Sequence, residues 1–414
     1  MNMNGLSFIT ILISLTDGPI QANDRVKEQP AAQYAWKRHT IDSSSRGADG
    51  VRLADVNGDG LQDMTTGWEE GGIVRVYLNP GSKRATEPWP AVTVGKVKSP
   101  EDAVFVDLDG DGATDVVSSC EGKTRTMFVH WAPQQKDRYL DSTAWKTQPI
   151  PVTAKRQAWM FALPMQIDGR NGIDLIVSSK GGGASVGWLQ SPKNPRDLSA
   201  WRFHKLYDAG WIMSLQPHDM DGDGDSDVVV SDRKGKNRGV LWLENPGPSD
   251  KSEPPPWKEH RIGGTGREVM FLDVADFDGD KNEEILAAVK PTDILVFRPE
   301  SPSASTWKTQ TITLPRDPLG TAKSVRVADI DLDGRRDLVF SCEKANRAKS
   351  GLVWLKRAKK PNSPKWEVNE ISGPDGIKFD LIQLLDLDAD GDLDVVCCEE
   401  RKNLGVIWYE NPTR

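Results

Sequence analysis

Short apolar stretches alternate along the chain with clusters of Gly, Asp, Asn and Pro, and the alternation itself recurs. Period-two runs such as GVRLADV (50–56), DAVFVDL (102–108) and SVRVADI (324–330) lead into an acidic loop, and β-branched runs such as DVVSS (115–119), DVVVS (227–231) and DLVFS (337–341) leave it. A third stretch follows, as in GVLWLENP (239–246), GLVWLKRA (351–358) and GVIWYENP (405–412). A fourth begins with Trp: WKRHTI (36–41), WKTQPI (145–150), WKEHRI (257–262), WKTQTI (307–312), WEVNEI (366–371). Alternation bounded by turn residues predicts strands. Four short strands in each of seven units of about 55 residues predict an all-β, seven-bladed β-propeller of four-stranded antiparallel blades, whereas a β-helix would need much shorter repeats. With the strands lettered A (innermost) to D (outermost), the chain opens on a D strand at 36–41 and stops after a C strand at 405–412. The N-terminal strand is therefore expected to close the last blade and to cover its open edge.

The A–B loop carries the chemistry. In DLDGDGATD (107–115) the acids stand at loop positions 1, 3, 5 and 9, Gly112 at 6 allows a sharp turn, and the carbonyl of Ala113 at 7 points inward. Alternating oxygen ligands on a tight loop suit Ca²⁺. An EF-hand would need Glu at position 12, where Ser118 stands, and would be flanked by helices. The pattern recurs as Asp55/Asn57/Asp59/Asp63, Asp107/Asp109/Asp111/Asp115, Asp219/Asp221/Asp223/Asp227, Asp329/Asp331/Asp333/Asp337 and Asp386/Asp388/Asp390/Asp394. Asp276/Asp278/Asp280/Glu284 keeps four oxygens although Lys281 replaces the turn Gly. The seventh copy, QIDGRNGID, has Gln166 at position 1 and Arg170 at position 5. Six structural Ca²⁺ sites and one metal-free loop are expected.

Composition modifies this picture little. The 414 residues fit one closed propeller over 36–414, preceded by a signal peptide (1–22) and a linker (23–35). LSFITILISL (6–15) with Ala22 as a cleavage position resembles a secretory signal, so a secreted, periplasmic or extracellular protein is expected. GPSDKSEPPP (247–256) reads as a long C–D connection. The formal charge of −8 would become about +4 with six Ca²⁺ bound, so the acidity belongs to the loops. No basic tract suggests nucleic acid, and no segment is long enough to span a membrane. The four cysteines show neither a disulfide framework nor metal spacing and read as buried thiols.

The repeated D-x-D-x-D-G-x-x-D loop between strands A and B resembles the FG-GAP or VCBS repeat family, which includes the calcium-bearing propeller heads of integrin α subunits. The Phe-Gly and Gly-Ala-Pro elements are absent, and the style is that of secreted bacterial and fungal relatives. Those relatives include sugar-binding propellers, a fungal aldos-2-ulose dehydratase and rhamnogalacturonan lyases. The resemblance implies fold, and function has to come from a site.

The rim opposite the acidic loops is the candidate. Six residues past each loop stand Glu69, Glu121, Lys180, Arg233, Lys290, Glu343 and Glu400; Arg52 and Arg326 face the tunnel, and Asp49, Glu101, Asp102, Glu268, Lys323 and Asp380 stand at its entrance. A solvated rim laced with salt bridges is the plain alternative. Of the 15 Trp, twelve recur in strands C and D and read as core between blades; Trp68, Trp159 and Trp211 map to this rim. Aromatic faces among convergent polar groups suit a sugar. The proposed ligand site is Trp68, Trp159, Trp211, Arg52, Glu69, Glu121, Arg233, Lys323 and Arg326. His39, His204 and His260 lie in D strands, His130 in a C strand and His218 beside a loop, so no histidine base stands at the rim. No catalytic residue is assigned. The expected protein is a monomeric, carbohydrate-binding module, with a polysaccharide lyase or keto-sugar dehydratase, or a protein-docking scaffold, as alternatives.

Overall fold

The structure, a computed structural model, describes residues 24–25, 35–248, 255–300, 306–347, 349–358 and 366–414. The signal sequence, most of the linker and the centre of the Pro-rich 247–256 connection lie outside the described residues.

Seven four-stranded antiparallel sheets form in chain order. Blade 1 runs Ala48–Ala54, Asp63–Trp68, Ile73–Tyr77 and Ala91–Gly95 from the tunnel outward; blade 2 runs Pro100–Val106, Asp115–Cys120, Thr126–Trp131 and Lys146–Pro149. Blade 3 comprises Ala158–Met165, Asp174–Lys180, Ser185–Gln190 and Arg202–Asp208, and blade 4 Ile212–His218, Asp227–Asp232, Gly239–Glu244 and Lys258–Gly263. Blade 5 comprises Val269–Ala275, Glu284–Val289, Asp293–Pro299 and Trp307–Thr313, with Asp24–Arg25 added in parallel to its outer edge. Blade 6 comprises Thr321–Ala328, Asp337–Glu343, Leu352–Arg357 and Trp366–Glu370.

Blade 7 takes three strands from the C-terminus, Gln383–Leu385, Asp394–Glu399 and Gly405–Glu410, and its outermost from the N-terminus, Lys37–Asp42. The expected clasp is present. His39 stacks on Trp408 at 4.4 Å between ring centroids and reaches Glu410 at 2.7 Å. Gly405 sits at φ 82, and a Cβ there would lie 2.1 Å from the Asp42 carbonyl oxygen, so the two chain ends meet where only Gly fits.

Strand B of every blade is covered on both faces by neighbouring blades, which explains its continuous apolar run; Asp115–Cys120 is buried at all six positions. The C-strand indoles fill the space between blades, with Trp131, Trp188, Trp242 and Trp408 at most 2% exposed. Trp188 and Trp242 carry D-strand histidines on their faces, His204 at 5.0 Å and His260 at 4.0 Å. All four cysteines are buried and unbridged. Burial pushes the Cys120 thiol up to about 12. No helix of the described residues is long and apolar enough to cross a membrane.

Candidate functional site

The acidic loops share one scaffold. Position 1 accepts backbone N–H groups of its own loop, as Asp55 does from Gly58 at 2.7 Å, Asp59 at 3.1 Å and Gly60 at 2.9 Å. Position 9 is buried and ties the loop to the end of strand C: Asp115 accepts from Leu108 N at 3.3 Å and from Ala132 N at 2.7 Å. Asp63, Asp227 and Asp394 repeat this clamp. The turn at position 6 is left-handed, φ 86 at Gly60 and 85 at Gly112, and Lys281 adopts it at φ 74 without the freedom of Gly.

The carboxylates at positions 1, 3 and 9 converge. One oxygen from each of Asp107, Asp109 and Asp115 lies within 4.8 Å of the others, and the same holds for Asp219/Asp221/Asp227 and Asp276/Asp278/Glu284. Burial, reinforced by the other loop carboxylates and opposed by the backbone N–H bonds, pushes Asp115 up to about 8 and Asp227 to about 7. Basic side chains offset part of this charge: Arg196 pairs with Asp109 and Asp111, Lys356 with Asp331, and Arg298 with Asp278 at 3.2 Å.

Position 5 takes part in a local turn. Asp111, Asp223 and Asp280 stand outside the three triplets. Each accepts the backbone N–H two residues on, from Ala113 at 2.9 Å, Asp225 at 3.0 Å and Asn282 at 2.8 Å. Asp59 and Asp390 do the same, from Leu61 at 2.9 Å and Asp392 at 3.1 Å. Asp59, Asp223 and Asp280 are also exposed. In blade 1 the side chain at position 3 is diverted as well: Asn57 Nδ2 donates to Asp59 Oδ2 at 2.9 Å, and Asn57 Oδ1 accepts Asp59 N at 2.9 Å. Position 3 forms the same Asx turn, Asp109 accepting Asp111 N at 3.1 Å, Asp221 accepting Asp223 N at 3.2 Å and Asp388 accepting Asp390 N at 3.3 Å, so both positions place one carboxyl oxygen on the turn backbone.

Blade 3 serves as an internal control. Its Asp174 makes the same clamp, from Ile167 N at 3.2 Å and Ser191 N at 2.7 Å. Gln166, however, turns its amide inward and donates to the carbonyls of Arg170 at 3.2 Å and Gly172 at 2.7 Å. Where the carboxylate is lost, an N–H donor meets the inward carbonyl at position 7. The donor set of the other loops, carboxylates plus that carbonyl, fits a hard cation.

The opposite rim is shaped by a feature that alternation does not reveal. Strand A has a register shift near its start in six blades, between Asp49 and Arg52, Pro100 and Asp102, Trp159 and Ala162, Ile212 and Ser214, Val269 and Leu272, and Ala322 and Ser324. Such bulges re-aim side chains. Asp49, Glu101, Phe161, Phe271, Lys323 and Asp380 thereby line a small cleft at the tunnel mouth, about 250 Å³ including its open side. Phe161 and Phe271 meet edge to face at 5.7 Å, and Arg52 and Lys323 lie over them.

Of the residues read as a ligand site, Arg52 pairs with Asp102 at 2.9 Å and Lys323 with Asp380 at 2.8 Å, both at this cleft. Glu69 and Glu121 stand beside it, the latter paired with Lys180. Arg326 joins Asp273 at 2.7 Å and the Ile382 carbonyl at 2.9 Å. Arg233 lies across the rim, on Glu268 at 2.6 Å. The three tryptophans do not assemble. Trp68 and Trp159 are 0% exposed, packed in separate inter-blade cores, with their indole N–H groups on Tyr77 Oη at 2.9 Å and the Thr153 carbonyl at 3.0 Å. Neither offers a face to a ligand. Trp211 alone is partly exposed, with Arg233, Lys180 and Lys234 at 4.4, 4.7 and 4.8 Å from its ring centre.

Charge on this rim is divided by blade. Glu343, Glu400, Glu69 and Glu121 from blades 6, 7, 1 and 2 face Lys180, Arg233 and Lys290 from blades 3, 4 and 5. Burial pushes the Glu101 carboxyl up to about 7 despite Lys180, with Glu121 adding to the shift. Burial and the adjacent Asp380 raise Asp49 well above the usual carboxylate range. The five histidines lie elsewhere: His130 is enclosed between Ser118 and Thr147, and His218 faces Glu283 at 3.5 Å on the loop side. Sequence reasoning missed Lys234, Lys378, Phe161 and Phe271. The two phenylalanines stand in runs, WMFAL and VMFLD, whose only visible signal is burial, and it is the bulge that turns them to the tunnel.

The FG-GAP-like repeat model matches residues 55–118, 219–287 and 276–340, so each match begins at position 1 of an acidic loop. No curated protein sequence matches the chain. Among solved structures, two crystals of BBS1N in complex with ARL6DN are similar in fold. The one soaked with mercury has 9% identity and a TM-score of 0.52 over 92% of this chain and 98% of that one. The one soaked with lead has 9% identity and a TM-score of 0.50 over 90% and 98%.

Proposed function

This chain is a seven-bladed propeller carrying FG-GAP-like repeats, and on that premise we propose that it is an exported, calcium-bound module that binds carbohydrate on the rim opposite the acidic loops. Calcium is supported by the convergent carboxylates of the loops and by Gln166, whose amide takes the inward carbonyls where a carboxylate is lost. A cation there would be structural: it would remove the repulsion among the loop acids and hold strands A and B together, with Asp55, Asp107, Asp219, Asp276, Asp329 and Asp386 as first ligands.

The ligand reading rests on Trp211. Its partly exposed indole sits among Lys180, Arg233 and Lys234. A sugar ring stacks on an indole through its C–H face, and the surrounding cations favour a sugar bearing carboxylate or sulfate. The test is retention of the mature protein, with calcium, on acidic and neutral polysaccharides, alongside ultraviolet absorbance of unsaturated products. Retention on acidic chains, weakened about tenfold or more by Trp211→Ala, is expected. Unchanged retention in that variant would overturn the site. Absorbance growing with time would move the reading to a lyase that uses the rim carboxyls.

A protein partner is the second reading, favoured by the division of the rim into an acidic and a basic arc, which would orient a charge-complementary surface. It gains if no polysaccharide is retained.

A further inference from the structure

On the rim away from the acidic loops, the turn between strands B and C of blade 2 meets the connection from blade 2 to blade 3. The turn supplies Lys123 and Arg125, and the connection supplies Lys155 and Arg156. The two segments are cross-stitched. Arg125 Nη2 donates to the Arg156 carbonyl at 3.0 Å, and Lys155 Nζ donates to the Lys123 carbonyl at 3.2 Å. Arg156 lies over the partly exposed ring of Phe203, 4.7 Å from its centre, with Nη1 on the Val152 carbonyl at 3.4 Å.

Backbone carbonyls occupy donors without cancelling charge. Among the described residues none of these four cations forms an ion pair, and Arg125 Nε is buried without an acceptor. At the tunnel mouth, by contrast, Arg52, Lys180, Lys323 and Lys378 each hold a carboxylate. Lys123, Lys155 and Arg156 are exposed. The backbone sets these cations where Gly would be easier: the residue before strand C is Gly72 at φ 67 in blade 1 but Arg125 at φ 47 in blade 2, and Lys155 stands at φ 57. Strained positions thus carry positive charge, and what the seam lacks is a counter-charge.

The seam adjoins Trp211. Arg156 precedes Ala158 by two residues, Ala158 is paired across strands with Lys180, and Lys180 is bridged to Trp211. Basic residues therefore continue along the rim from blade 2 to Arg233 and Lys234 of blade 4.

We propose that Lys123, Arg125, Lys155 and Arg156 form an anion subsite beside the Trp211 site, so that the rim takes a chain carrying several negative groups rather than a single acidic sugar. That the chain is a polysaccharide rests on the carbohydrate reading of Trp211; the anion chemistry rests on the seam.

Binding of hyaluronate, which carries carboxylates, and of dextran sulfate is measured by calorimetry with calcium at about 0.15 M salt, where diffuse attraction is largely screened. Wild type is compared with Lys123→Gln/Lys155→Gln, with Arg156→Gln, with Trp211→Ala, and with Lys146→Gln/Arg202→Gln, which removes the same charge from exposed positions on outer strands. The Lys123/Lys155 variant should bind about fivefold more weakly and Arg156→Gln should also bind more weakly, with melting curves showing an intact fold, while the outer-strand variant binds as wild type does. A loss with one polymer alone would assign the subsite to carboxylate or to sulfate. Undiminished binding in both seam variants, or an equal loss in the outer-strand variant, would overturn the subsite, and Trp211→Ala would still report on the carbohydrate reading. A wild type that binds neither polymer would overturn both.

Discussion

His130 gives a sharp test of how the inter-blade core handles charge. The ring is 0% exposed; Thr147 Oγ1 passes its own hydrogen to the Val94 carbonyl at 3.2 Å and so accepts from Nδ1 at 2.9 Å, which leaves Nε2 to accept from Ser118 Oγ at 2.9 Å. That chain of bonds selects the neutral imidazole, and burial pushes its pKa down to about 3. The unfolded chain takes up a proton below about 6.5, and the native state does not until about 3, so stability is lost as pH falls through 6.5. Each full pH unit in that window costs about 1.4 kcal/mol, and at pH 5 the loss from this residue is about 2 kcal/mol. His130→Gln removes the titration while keeping a donor and an acceptor. Urea unfolding at 25 °C should show the variant less stable at pH 7.5 by a fixed amount, with the gap narrowing by about 2 kcal/mol at pH 5. The loop acids titrate in both proteins and cancel in the difference. A gap that stays constant from pH 7.5 to 5 would refute the neutral, enclosed histidine.

Other substitutions address separate parts of the account. Lys281→Gly relieves a left-handed residue at φ 74 and should stabilise blade 5 by about 1 kcal/mol, read as a higher unfolding midpoint; a lower midpoint would contradict the strain. Gly405→Ala places a Cβ against the Asp42 carbonyl and should loosen the clasp, seen as faster hydrogen exchange of 37–42; unchanged exchange would show that the closure tolerates a side chain. Trp159→Ala should cost about 3–5 kcal/mol as a core deletion, whereas Trp211→Ala should be nearly neutral in stability; equal losses would contradict the distinction between core and rim.

Much of the ring was legible because its information is periodic. The A–B loops, the four strands per unit and the N-terminal clasp each recur or complete a pattern, so a single chain contains its own comparison. Spacing alone could not show that Asp221 and Asp223 each spend an oxygen on the turn backbone while the buried Asp227 clamps the loop to strand C. The tryptophan site was not legible either. Trp68 and Trp159 stand at strand ends that map to the rim, but side chains there point alternately to the tunnel and between blades, and both rings take the space between blades. The rim cluster needs two further facts. The bulge at Asp49–Arg52 breaks the alternation that sequence reading relies on, and Asp49 meets Asp380 only after blade 7 has closed against blade 1.

Thermal unfolding in millimolar Ca²⁺ against excess EDTA tests the central claim, a propeller stapled by cations in six of its seven loops. A site held at a hundredfold excess over its dissociation constant adds about 2.7 kcal/mol, so six sites add about 16 kcal/mol. With an unfolding entropy of about 2.1 cal/mol/K per residue over the folded ring, that corresponds to a rise of roughly 20 °C. The account predicts a large calcium-dependent rise that Asp107→Asn diminishes and Gln166→Ala leaves in place. Identical melting curves with calcium and with EDTA would contradict it.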